Sequence, residues 1–200
     1  HKSTQASLTM RDISWALHSD NKEILLTMLN SSLKSWERAR EYKISYWAKR
    51  EDLVKKFEEI AKLEFTKDDK RNPSNCTIFY LALKKKHILV GLWRISSGHP
   101  DQQKLLKFLS NDFTEPRWRT AALKNAFVLL SKHRYMDAAS FFLLANSLKD
   151  AVNVLVKQIK DLDLAIGICR VYEGDNGPVL DDLLTKQLLP QAVLDNDRWT

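Results

Sequence analysis

Apolar residues recur at three- and four-residue steps along nearly the whole chain, and no stretch shows the strict alternation that a half-buried strand needs. Residues 1–72 contain neither glycine nor proline, so nothing in them interrupts a helix. Met10, Ile13 and Leu17 share one helical face. Asp20 is placed to cap a second helix carrying Ile24, Leu25, Leu26 and Leu29, with Glu23 completing a capping box. From Leu33, the residues Trp36, Ala39, Tyr42, Tyr46 and Trp47 form an aromatic stripe, which predicts a packing face rather than a ligand cage. A further helix over Leu53–Phe65 turns Val54, Phe57, Ile60, Ala61 and Phe65 inward and Lys55, Lys56, Glu58, Glu59 and Lys62 outward.

The stretch from Asp112 to Glu173 carries the clearest organisation. Thr114-Glu115-Pro116 reads as a helix start, because proline lacks an N–H that the first turn cannot use. A small unit then recurs: Tyr135 to Phe141 around Ala138, Leu148 to Val154 around Ala151, and Leu162 to Ile168 around Ala165. The alanines lie 13 and then 14 residues apart, about one helix and a joint. Each alanine stands among large apolar residues and lets a neighbouring helix approach closely. A period of this kind predicts stacked short helices, and the fold class is all-α: an α-solenoid of short antiparallel helices.

Breaks divide the pattern. Thr66–Asn75 (TKDDKRNPSN) reads as a linker, with Asn75 as a helix cap. Cys76–Lys86 is predicted as one helix ending in Lys84-Lys85-Lys86-His87, where cations suit the helix dipole. Ile88–Ile95 continues as a short helix, Ser96–Pro100 is a break, and Asp101 caps Gln102–Leu109. Gly174 to Pro178 makes a turn, Val179–Leu189 is helical, and Pro190 opens a last helix. The expected organisation is a helical part over 1–65, a linker at 66–75 and a helical-repeat part over 76–200, all of one solenoid. Lacking an initial methionine and ending in DNDRWT, the chain reads as a portion of something longer.

Composition narrows function mainly by exclusion. No apolar run approaches the ~20 residues of a membrane span. Cys76 and Cys169 are too few for a disulfide framework or a four-ligand zinc site. The five histidines form no HxxxH or HExxH pair, the five glycines are scattered rather than clustered for phosphate, and no GxSxG elbow exists. The pairs Asp68-Asp69 and Asp181-Asp182 adjoin loops or helix starts, where negative charge is favourable anyway. Catalytic, cofactor and metal residues are therefore expected to be absent. What remains is a net charge of +7 with basic clusters: Lys84, Lys85 and Lys86; Arg117, Arg119 and Lys124; Lys132 and Arg134. These are solvated helix ends or docking points for an acidic protein surface. Arg117 and Arg119 stand out, because cations are unfavourable in a first helical turn. Either acidic neighbours compensate them or they face a partner. Nucleic acid ranks behind protein, since the aromatics lie on apolar faces and are not interleaved with arginine.

Several long blocks carry a resemblance. CTIFYLALKKKHILVGLWR, NDFTEPRWRTAALKNAFVLL and AASFFLLANSLKDAVNVLVKQIKDLDLAIGICRVYEGD, with RDISWALHSDNKEILL and SWERAREYKISYWAK before them, resemble the large subunit of the RAVE complex, the regulator of the vacuolar and endosomal membrane ATPase. The animal members are the DmX-like proteins, or rabconnectin-3. The likeness covers residues 10 to about 175, and the lysine run and terse loops are similar to the fungal form. It implies β-propellers before an α-solenoid, and a non-enzymatic scaffold, cytoplasmic and peripheral at vacuolar and endosomal membranes. It also implies partners among the V-ATPase V1 subunits (C and the E–G peripheral stalks), a smaller companion subunit and a Skp-type adaptor shared with ubiquitin ligases. Membrane contact would be indirect, through Vo. A coat-like trafficking solenoid or a nucleic-acid-binding helical repeat remain the alternatives.

Overall fold

Helices follow one another along the whole described chain, and no strand occurs among the described residues. The computed structural model describes residues 9–20, 22–30, 32–67, 71–96 and 98–194. His1, the Asp68-Asp69 pair and the terminal DNDRWT lie outside them. The first part comprises α1 (Met10–Leu17), α2 (Lys22–Leu29), α3 (Trp36–Glu41), α4 (Ile44–Trp47) and α5 (Arg50–Thr66). A 3-10 turn at Pro73–Cys76 leads into α6 (Thr77–Ala82), α7 (Lys86–Ile95), α8 (Gln102–Leu109), α9 (Pro116–Ser131) and α10 (Tyr135–Leu144). Then come α11 (Leu148–Val154), α12 (Leu162–Glu173), α13 (Pro178–Leu183) and α14 (Leu189–Leu194). This is an all-α solenoid fragment, as the periodicity predicts.

One joint recurs between the helices. Lys43, Arg71, Lys84, His133, Asn146 and Lys160 all adopt positive φ, between 45° and 60°. After α6 the N–H of Lys85 bonds Tyr80 O at 2.8 Å and that of Lys84 bonds Leu81 O at 3.0 Å. Arg134 and His133 repeat this pair on Leu129 and Leu130, and Ser147 and Asn146 repeat it on Phe142 and Leu143. These are Schellman caps, which satisfy the orphan carbonyls of a helix end and reverse the chain within about three residues. Five positions after each positive-φ residue the chain is buried: Ala48, Cys76, Leu89, Ala138, Ala151 and Ala165. The alanine period in the sequence is thus the echo of a period of joints.

The step from 13 to 14 has a local cause. Leu155–Ile159 is a π-helical turn, and the N–H of Asp161 reaches back six residues to Leu155 O at 3.0 Å, where Ser147 reaches back five. The wider turn absorbs one residue, so Lys160 still ends the unit and Ala165 still faces inward.

The sequence-based boundaries fail in three places, each for a chemical reason. The cap before α6 is Asn72, whose Oδ1 accepts from Ser74 N at 3.0 Å; Asn75 lies inside the 3-10 turn. Cys76–Lys86 is not one helix, because α6 ends at Ala82 and Lys84 reverses the chain. Lys86 is consequently the first residue of α7, where the dipole disfavours a cation. Pro190 stands in the first turn of the last helix, α14, as expected, but no break precedes it. Helix continues from Pro178 to Leu194, with a π-helical stretch at Leu184–Leu188 just ahead of the proline, where the ladder loses a donor. The aromatic stripe does pack, but in two helices parted at Lys43: Trp36 and Trp47 are buried, whereas Tyr46 is 43% exposed.

Helix α12 sits at the centre, with Asp163–Cys169 and Val171 buried. A Cβ on Gly167 would lie 2.6 Å from Ser45 Oγ and 2.8 Å from Phe57 Cζ, so α4 and α5 approach the bare backbone there. Trp36, Phe57 and Phe79 join the parts before and after 68–70 in one ring cluster, with centroids 5.6–5.9 Å apart. Two buried carboxylates fasten the start of α12. Asp161 accepts from Trp36 Nε1 and caps Leu164 N, while Asp163 pairs with Lys43 Nζ at 2.8 Å.

Candidate functional site

The basic residues that the sequence singles out lie on the surface, and they define the candidate site. The fold sorts them into groups that the sequence does not distinguish. Lys84, Lys86 and Arg119 come together on one groove of about 510 Å³, although they belong to the α6 joint, the start of α7 and the first turns of α9. Its floor is Leu81, Phe113, Leu143 and Leu144; its rim adds Asp112, Asn146 and Tyr172.

Each of the three cations is held by an internal contact. Lys84 Nζ lies 4.2 Å from the centroid of the Tyr172 ring, a cation–π arrangement, and Tyr172 Oη donates to Asn146 Oδ1 at 2.6 Å. Lys86 Nζ donates to Asn111 O and stands 5.0 Å over the Phe113 ring. Arg119 Nε donates to Ala145 O at 3.0 Å, the residue that closes α10. This answers the anomaly of an arginine in a first turn: Arg119 is compensated by the negative end of another helix, not by an acid. Neither Lys84 nor Arg119 pairs with a carboxylate among the described residues.

Electrostatics in the groove follow from burial and one acid. Desolvation pulls the Lys86 ammonium below its ordinary pKa, against the attraction of Asp112. Bonds from the Thr114 N–H and hydroxyl hold the Asp112 carboxyl below the usual range, with Lys86 adding to them. Asp112, Asn146 and Tyr172 are the groove residues that the sequence does not single out. The positive φ of Asn146 and the repeat spacing carry a faint signal for it; Tyr172 reads simply as a core position.

The remaining candidates lie elsewhere. Lys85 is neutralised by Glu58 at 2.6 Å, and that bond is the main reason the Glu58 carboxyl sits low. Lys132 and Arg134 line a second cleft of about 400 Å³ with Trp93, Phe108 and Phe141, where Arg134 pairs with Asp137 at 2.7 Å. Arg117 is exposed beside the Trp118 ring, and Lys124 is exposed on α9. Cys76 and Cys169 are both buried. No group of three or more metal-type side chains occurs among the described residues, and none of their helices is long and apolar enough to cross a membrane.

The chain is similar over all or most of its length to proteins of yeasts and of human. It is 71% identical over 199 residues to regulator of V-ATPase in vacuolar membrane protein 1 of Saccharomyces cerevisiae, covering all of this chain and 15% of that protein. To the protein of the same name in Schizosaccharomyces pombe it is 42% identical over 202 residues, 16% of that protein's length. Human DmX-like protein 1 is 37% identical over 188 residues, which cover 91% of this chain and 6% of that protein. The chain therefore spans about one sixth of the fungal relatives or less. Identity is higher to the fungal proteins than to the human one, in line with the lysine run and short loops. The model of one family, RAVE protein 1 C terminal, matches residues 1–200, and the chain belongs to that family.

Proposed function

We propose that this chain is a non-enzymatic docking segment of a RAVE-type regulator of the vacuolar ATPase. In this reading the helical stack holds V1-sector components, namely the C subunit and the E–G peripheral stalks, while V1 is rejoined to the membrane Vo sector. A smaller companion subunit and a Skp-type adaptor complete the assembly. The complex is cytoplasmic and peripheral, meeting vacuolar and endosomal membranes through Vo. The observation that carries the reading is the family match over every residue, together with fungal relatives that bear the name of V-ATPase regulators. The architecture supports it: stacked short helices present a long, fairly rigid surface without needing a reactive group. A basic rim favours encounter with an acidic partner over random collision.

The test is capture of the purified C subunit, the E–G pair and the Skp-type adaptor by the immobilised chain, at low and moderate salt, with RNA as competitor. Retention of the C subunit or of E–G that survives RNA is expected. Failure with every V1 component overturns the reading, and loss of all retention to RNA points to a nucleic-acid binder, whose affinity falls steeply with salt.

A further inference from the structure

We propose that the groove bounded by Lys84, Lys86, Arg119 and Tyr172 is a receptor for an acidic peptide segment of a protein partner. The inference rests on the docking reading above and gives it a location. Three cations from separate elements line the groove with one carboxylate, Asp112, so the lining carries two positive charges in excess, which Glu173, acting on the Tyr172 hydroxyl from outside the lining, offsets only in part. Lys84 and Arg119 have intramolecular contacts that orient them but do not neutralise them. Arg119 is tied through Nε to Ala145 O, which fixes the guanidinium plane and leaves its terminal amino groups as a fork suited to a carboxylate. Leu143, Leu144 and Phe113 show only small apolar edges at the floor, against which an apolar side chain of the peptide can rest. A volume near 510 Å³ lies within the range of sites that bury a ligand of several groups.

The same details favour peptide over polyanion. Tyr172 has one face taken by Lys84, and Phe113 is buried with one face taken by Lys86, so neither ring stands bare as a stacking platform for bases. Asp112 repels a backbone charged at every unit, whereas a peptide can place its carboxylates to either side of it.

The probe is a fluorescein-labelled peptide of alternating Glu and Asp with one central Phe, titrated with the full chain by anisotropy at low and moderate salt. Lys84→Glu is expected to weaken binding about tenfold and Lys34→Glu, at an exposed lysine between α2 and α3 that does not line the groove, to leave it unchanged. Asp112→Asn keeps an acceptor for Thr114 and removes the opposing charge, so it is expected to tighten binding about threefold. A gain of affinity cannot come from failure to fold. No binding, equal loss from Lys84→Glu and Lys34→Glu, a neutral Asp112→Asn, or equal displacement by single-stranded RNA each overturns the groove. V1 subunits retained equally by wild type, Lys84→Glu and Asp112→Asn overturn the groove while the docking reading stands. Tight, variant-sensitive peptide binding with no V1 subunit retained has the opposite meaning.

Discussion

At the residue scale, the six joints with φ between 45° and 60° are made by lysine, arginine, histidine and asparagine, while Gly98 and Gly174 have positive φ of 91° and 101°. A left-handed conformation costs a side-chain-bearing residue roughly 1–2 kcal/mol; glycine removes that strain, and its greater unfolded-state entropy cancels only part of the gain. Lys160 is exposed, so Lys160→Gly is expected to raise stability by about 0.5–1 kcal/mol, read as a higher denaturant midpoint at unchanged slope. Lys84→Gly would also strip the ammonium from Tyr172 and is the poorer exchange. Cys76 and Cys169 offer a second check. Burial pushes both thiols up to about 12, from an ordinary value of 9.0. Neither should react with a thiol reagent at neutral pH until the chain unfolds. A folded pKa above the unfolded one favours the fold below the unfolded value. Stability should therefore fall as pH rises from 9 toward 12, which alkaline unfolding curves would measure.

At the scale of elements, the repeat was readable and its joints were not. The alanine spacing and the proline of α9 mark real helices, because burial of a small residue and a missing N–H are local facts. The end of α6 at Ala82 was hidden, since a lysine in a left-handed joint looks like any lysine on a helix. The candidate site was half legible for a related reason. Basic residues can be found by eye, but the carbonyl that Arg119 caps lies 26 residues away, and nothing local separates Lys86 in the groove from Lys85 on Glu58. The π-turn in the 14-residue unit makes its own prediction. Deleting the exposed Gln158 should restore a 13-residue unit with an ordinary α-helical turn and leave helicity and fold intact, by circular dichroism and thermal unfolding. Deleting a residue inside α12 instead would rotate the rest of that helix by about 100° and should unfold the chain.

For the whole molecule, much of the positive charge is structural. Arg50 donates to Arg170 O at 2.9 Å and Val171 O at 3.2 Å at the end of α12. Arg170 in turn donates to Ser45 O at 2.6 Å and Ala48 O at 2.8 Å at the end of α4. Such charged caps on helix carbonyls lie partly out of water and are worth more than surface ion pairs. The net charge of +7 therefore overstates what is free for a partner. The reciprocal arginines, the ring cluster and the Asp161 and Asp163 contacts all cross from the segment before 68–70 to the segment after it. The peptide link between the two is then the least important thing joining them. Residues 1–67 and 71–200, expressed together as separate polypeptides, should find each other and co-purify as a nicked but native assembly. Arg170→Ala in the second piece should abolish that complementation before it unfolds the intact chain.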